Sequence, residues 1–203
     1  NFESSDNDPV LLQTLDGANT DSGLPDANHI DNANMGTPPD GTPPTMQMYL
    51  WHAPNTTNAE DPFVPTSGAF DASILFHEYT HGLSNRLVVD ATGNSTLNSL
   101  QAGSMGEAWS DYYAMDYLVD KKFETDTTKD GEVLEGKYVS AGELFRTEAI
   151  DCPVVTTATN CTNSFDGTKG GYTYGALRLI GGAHEAHARG GPSAQPPWDI
   201  PRA

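Results

Sequence analysis

The stretch Asp71-Ala-Ser-Ile-Leu-Phe-His-Glu-Tyr-Thr-His-Gly-Leu-Ser-Asn-Arg86 constrains the fold of this chain more than any other. It reads as one amphipathic helix. Residues four apart on a helix leave the same face about 6 Å apart along the axis, at about 1.5 Å per residue, so His77 and His81 can reach one metal ion. Glu78 stands beside them. This is the HExxH pattern, in which two imidazoles bind zinc and the glutamate serves as general base on an activated water. A catalytic zinc takes three protein ligands and keeps a position for water, so a third ligand is needed. Gly106-Glu107-Ala108-Trp109-Ser110-Asp111 offers candidates. The apolar and aromatic run Met105, Ala108, Trp109, Tyr112, Tyr113, Met115, Tyr117 and Leu118 predicts a second buried helix ending near Asp120. Glu107 lies on it one turn before Asp111. One carboxylate suits the metal, and the other suits the second ring N–H of a ligand histidine, whose tautomer it would fix.

Two words of this sequence, His77-Glu-Tyr-Thr-His-Gly-Leu-Ser-Asn-Arg-Leu87 and Gly103-Ser-Met-Gly-Glu-Ala-Trp-Ser-Asp111, resemble the fungalysin-type zinc metallopeptidases, whose catalytic fold is similar to thermolysin's. The resemblance implies that His77, His81 and Glu107 bind zinc, that Glu78 is the catalytic base and that Asp111 supports a ligand histidine, His77 being the one expected. It implies an α+β, thermolysin-like catalytic domain, present in part over residues 1–203, with a small antiparallel sheet and loops in 1–69 and a helical part in 70–203. In such folds an edge strand ahead of the site helix pairs with the extended substrate. Asn32, Ala33 and Asn34 are the candidates here, with ordinary turn chemistry as the alternative.

Further along, Tyr172 to His187 resembles the family segment that ends in Glu-Val-His, which would make His187 a donor to the oxyanion of the tetrahedral intermediate. His184 competes for that role, and Tyr172 or Tyr174 could approach the site. The family continues there as helix, whereas this chain reads Ala188-Arg-Gly-Gly-Pro-Ser193 and then Pro196-Pro197. Proline inside a helix costs about 3 kcal/mol, so that helix is expected to be interrupted or absent. Family members are secreted with a propeptide and carry more sequence beyond this region; the chain is expected to lack both.

The net charge of −18 comes from 28 Asp and Glu against 10 Lys and Arg, and no basic residue precedes Arg86. Such a chain repels phosphates, which excludes nucleic acid and disfavours an anionic membrane surface. No apolar run approaches the roughly 18 residues of a membrane span. The acidity reads as a solvated extracellular surface, with calcium bound by aspartate-rich loops as the alternative. Cys152 and Cys161, in a segment rich in Thr, Asn and Pro, suit a small surface disulfide in an oxidising compartment, or remain two thiols. Asn55, Asn94 and Asn160 head N-x-S/T sequons.

Residues 1–31 are expected as loop around a short element at Val10-Leu-Leu12. Residues 31–51 are expected as a hairpin across a proline-rich turn, with Met46, Met48 and Leu50 alternating with Gln47, Tyr49 and Trp51. Residues 52–69 read as polar loop, 121–137 as solvated loop and 138–150 as a short helix. Arg86 reads as a partner for the dipole at its helix C-terminus. Taken together, the sequence points to a secreted, monomeric zinc endopeptidase acting on protein or peptide substrates. A zinc-binding remnant without activity and an acidic, calcium-stabilised binding module are the alternatives.

Overall fold

The computed structural model describes residues 8–127, 130–163 and 167–173. They form an α+β arrangement in which a small sheet packs on the first of two paired helices. The sheet has the order β1-β3-β2, from Leu11–Gln13 (β1), Ala33–Gly36 (β2) and Thr45–Met48 (β3). β2 runs antiparallel to β3, so the expected hairpin forms, and β1 adds to β3 in parallel. Register explains which face is buried. Ala33 pairs with Met48 and Met35 with Met46 on the inner face, while Asn34 pairs with Gln47 outside and donates a side-chain hydrogen bond to it. The Val10-Leu-Leu12 run is a strand but not core, since Leu11 and Leu12 are about half exposed.

The alternation expected through Trp51 breaks after Met48. Leu50–Trp51 (β4) leaves the first sheet and pairs with Thr66–Ser67 (β5), inside the stretch expected to be loop. Tyr49 and Trp51 are both buried as a result, and Trp51 packs with Phe63 and Phe145.

The site helix runs Ala72–Leu87 (α1) and the second helix Leu100–Asp120 (α2), close to the spans expected. Asp71 caps α1 by accepting from the N–H of Ser73, and Ser99 caps α2 by accepting from the N–H of Ala102; both meet donors that a helix start leaves unpaired. Gly82 lets the sheet approach. A Cβ there would lie 2.5 Å from the Cε of Met35 on β2.

Beyond Asp120 the described residues are turns and loops with one short helical turn, Thr159–Cys161. The helix expected at 138–150 does not form. Ala141 and Gly142 take φ of 57° and 88°, which interrupts any helix, and the N–H groups of Tyr138 and Val139 are drawn to Asp71 instead. The loop expected to be solvated at 121–137 is buried over its second half. Val133, Leu134 and Val139 enter three separate apolar clusters: Val133 joins Met115 and Leu118, Leu134 joins Ala149 and the cysteines, and Val139 joins the sheet core. Cys152 and Cys161 form a disulfide that is buried rather than superficial.

Two groups tie this loop region down. Asp71 is buried, with one carboxylate oxygen accepting from the N–H and hydroxyl of Ser73 and the other from the N–H groups of Tyr138 and Val139. Glu148 is also buried. One of its oxygens accepts from the N–H of Tyr172, the other has no partner among the described residues, and burial pushes its carboxyl up to about 7.

Each group gives an expected outcome. Asp71→Ala removes a helix cap and orphans two loop amides, so urea denaturation should show a loss of about 2–4 kcal/mol, and a loss below about 1 kcal/mol would contradict the role. For Glu148 the unfolded carboxyl ionises near the ordinary 4.5 while the folded one keeps its proton to about 7. Stability therefore falls as pH rises through that window and levels off above it. Glu148→Gln should lack this decline, gaining on the order of 1 kcal/mol over the parent between pH 5 and pH 8 after allowance for solvent screening. Parallel pH profiles would contradict it.

Candidate metal centre

Three donors meet where α1 and α2 pack. His77 Nε2 lies 3.0 Å from His81 Nε2 and 3.3 Å from Glu107 Oε2, and His81 Nε2 lies 3.3 Å from Glu107 Oε1. The two imidazoles face each other because they stand one turn apart on α1, and Glu107 arrives from α2. His77 is buried; His81 and Glu107 are partly so. Donors about 2.1 Å from one tetrahedral zinc sit about 3.4 Å apart, so this group fits a zinc ion in spacing and in chemistry, two nitrogens and a carboxylate.

The far side of His77 is equally organised. Its Nδ1 lies 2.8 Å from Asp111 Oδ1, the partner expected from sequence, and 3.0 Å from Glu135 Oε1. With one ring proton held on that side, Nε2 is the nitrogen that faces His81 and Glu107, and a cation bound there would take the place of its proton. Arg146 joins the two carboxylates, its Nη2 donating to Asp111 at 2.7 Å and its Nε to Glu135 at 2.7 Å. His77, Asp111 and Glu135 also have ligand atoms close enough for a cation, but the Arg146 guanidinium already sits on that trio.

The charges respond to this crowding. Burial disfavours a charged His77, yet Glu135, Asp111 and Glu107 outweigh it and hold its pKa well above the ordinary value. Burial raises Glu107, but hydrogen bonds from His77 and His81 win and hold it far below the carboxylate range. Asp111 is also held down, against burial, by the charge of Arg146 and the His77 bond. Glu135 is raised by burial and by the neighbouring Asp111 charge, against Arg146. Glu107, Asp111 and Glu135 gather around His77, and Arg146 pairs with the last two; a divalent cation on the Nε2 side would add positive charge to this acidic cluster.

Glu78 is buried next to His77. It lines a cavity of about 20 Å³ with His77, Asn32, Ala33, Glu135 and Arg146. That is room for one water molecule. Ala33 and Asn34 lie on β2, the end strand of its sheet, and Asn32 directly precedes it. Asn34 points away, bonded to Gln47, so Asn32 and Ala33 alone reach the cavity. His184, His187 and Tyr174 lie outside the described residues. Tyr172 is engaged elsewhere: its hydroxyl bonds Thr147. Arg86 does occupy the last turn of α1, and it also pairs with Asp8 and Asp40 and donates to the carbonyl of Thr42, tying the N-terminal segment and the hairpin turn to the helix.

Sequence reasoning missed Glu135 and Arg146. The signal available was Val133-Leu134 directly before Glu135, and an arginine beside Leu144-Phe145 in a chain with few basic residues. For the calcium alternative, Asp126, Glu132 and Asp151 bring oxygens within 4.8 Å of one another. Asp151 already accepts from the N–H groups of Gly131, Glu132 and Val133, which makes it a loop lock.

Comparison with known proteins adds an independent finding. The fungalysin metallopeptidase family (M36) matches over residues 1–175, a span that stops short of His184 and His187. The chain is similar to extracellular metalloproteinase 10 of Coccidioides posadasii, 44% identical over 108 residues, which is 53% of this chain and 14% of that protein. It is similar to extracellular metalloproteinase 2 of Phaeosphaeria nodorum, 45% identical over 54% of this chain and 14% of the relative. It is also similar to extracellular metalloproteinase mep of Aspergillus fumigatus, 44% identical over 53% of this chain and 14% of the relative. The match thus covers a small part of each relative's length.

A ligand that binds only the folded state at about 100 times its Kd stabilises by about 2.7 kcal/mol. Zinc should therefore raise the thermal midpoint of the parent, EDTA should reverse the rise, and Glu107→Ala should abolish it. An equal zinc shift in Glu107→Ala would remove Glu107 from the ligand set.

Proposed function

This chain belongs to the fungalysin metallopeptidase family, and on that premise we propose that His77, His81 and Glu107 hold the zinc ion of a secreted endopeptidase that hydrolyses peptide bonds in protein substrates. The observation that carries this reading is the donor group itself: two facing imidazole nitrogens 3.0 Å apart with a carboxylate 3.3 Å from each. Residues 1–203 are read as part of one catalytic domain with a thermolysin-like fold, a reading supported by the α+β arrangement and the family match. The names of the fungal relatives, all extracellular metalloproteinases, support secretion.

Zinc bound there would supply Lewis acidity, polarising the scissile carbonyl and lowering the pKa of water toward neutrality. The remaining steps belong to side chains of this chain. Glu78 accepts the proton of the attacking water and returns it to the leaving amine, a role supported by its burial against His77 and by the water-sized cavity it lines. Asp111 holds the Nδ1 proton of His77 and so keeps the ring in the tautomer that presents Nε2. Asn32 and Ala33, with the β2 edge that continues to Asn34, would bind the extended substrate through main-chain hydrogen bonds, which suits a peptidase of broad sequence tolerance. His187 is kept as the candidate donor to the oxyanion on the strength of the sequence resemblance.

Glu78→Gln tests the assignment. It should bind zinc with parental stoichiometry while casein hydrolysis falls by about 10²–10⁴-fold or more. Parental turnover in that variant would exclude Glu78 as the base. A parent protein that binds zinc and digests nothing would favour the reading as a metal-binding remnant.

A further inference from the structure

The carboxylate of Glu135 is placed with more care than an ion pair requires. Its Oε2 takes the Nε of Arg146 at 2.7 Å, but its Oε1 lies 3.0 Å from His77 Nδ1 and 3.4 Å from Arg146 Nη2. A pair serving stability alone favours two parallel N–H···O bonds to the guanidinium. Here the second of those bonds is long, and its oxygen is shared with the histidine, which it approaches more closely. Arg146 gives its Nη2 to Asp111, so the guanidinium spans the two carboxylates that flank one ring nitrogen.

The backbone around Glu135 is fixed to match. Val133 and Leu134 on one side and Val139 on the other are buried in three different apolar clusters. The N–H of Gly136 donates to the hydroxyl of Ser73, and those of Tyr138 and Val139 donate to Asp71. Ser73 and Asp71 form the N-terminus of α1, the helix that carries His77 one turn later. The loop and the histidine are therefore referenced to the same rigid point. Taking a carboxylate out of water costs several kcal/mol unless its partners are well placed, so this position is costly to hold without a use.

We propose that Glu135 is a positioning residue for His77. Braced by Arg146, it acts with Asp111 as a two-sided clamp on Nδ1 that stops the imidazole rotating and keeps its proton on that nitrogen, leaving Nε2 aimed at the cation. Glu135 lies on the Nδ1 side of the ring, across from the Nε2 that faces His81 and Glu107. The proposal rests on the reading of His77 as a zinc ligand and adds to it a second acceptor, from a loop that carries no metal-binding motif.

The test is zinc affinity by chelator competition at pH 7.5, with the His77 Nδ1–H signal read by ¹⁵N NMR in the zinc-loaded protein, for the parent, Glu135→Gln and Glu135→Asp. Outer partners of ligand histidines are worth about 10–100-fold in metal affinity. Glu135→Gln should weaken zinc binding by a factor in that range and shift the Nδ1–H signal of His77. Glu135→Asp keeps the charge for Arg146 but withdraws the carboxylate from the ring, so it should retain the thermal midpoint of the metal-free parent and still lose affinity. It carries the test should Glu135→Gln fail to fold. Parental zinc affinity and an unchanged His77 Nδ1–H signal in a folded variant would overturn the proposal while leaving the metal site standing. A parent that binds no zinc would overturn the metal-site reading and this proposal with it.

Discussion

Two imidazole nitrogens 3.0 Å apart, with a carboxylate 3.3 Å from each, hold positive charge between them, as protons or as a metal ion in their place. The rest of the described structure can be understood as what is needed to sustain that contact. α1 supplies the two rings at one-turn spacing, α2 brings Glu107 against both, and the sheet and loops close over the outside. The carboxylates gathered around His77 would repel one another in a low-dielectric interior, and Arg146 and a protonated His77 offset that repulsion. A divalent cation would take the place of the Nε2 protons between the same three donors.

The same packing explains where rigidity is concentrated. Asp71 caps the site helix and anchors the loop at 138–139, Gly82 admits Met35 of the sheet edge, and the buried disulfide closes the cluster that receives Leu134. Helix start, sheet edge and loop are thereby tied to one helix. A site of this kind depends on its supporting shell, because a ligand histidine free to rotate loses the geometry that makes it a ligand.

Much of this was legible in the sequence where local rules dominate. The His77-to-His81 spacing and the apolar run around Glu107 place the site helix and the end of the second helix almost to the residue, since helix periodicity is short-range. The hairpin was legible for a similar reason: alternation at Met46 and Met48 and a proline-rich turn specify it. The readings failed where tertiary contacts decide. Residues 121–137 look solvated because charges alternate there, yet Glu135 is buried by a partner eleven residues on and a histidine on another element. The 138–150 segment has helical spacing but is pulled out of helix by two positive φ angles and by Asp71. No periodicity encodes an acceptor supplied from 67 residues upstream.

The central claim is that His77, His81 and Glu107 form one first coordination sphere. X-ray absorption at the zinc edge, on protein loaded with one equivalent of zinc, tests it most directly. The account predicts a four-coordinate ion with two imidazole nitrogens and low-Z oxygen donors at about 2.0–2.2 Å, reduced to one imidazole in His81→Ala. A spectrum of a hydrated ion without imidazole scattering, or one unchanged by His81→Ala, would contradict it.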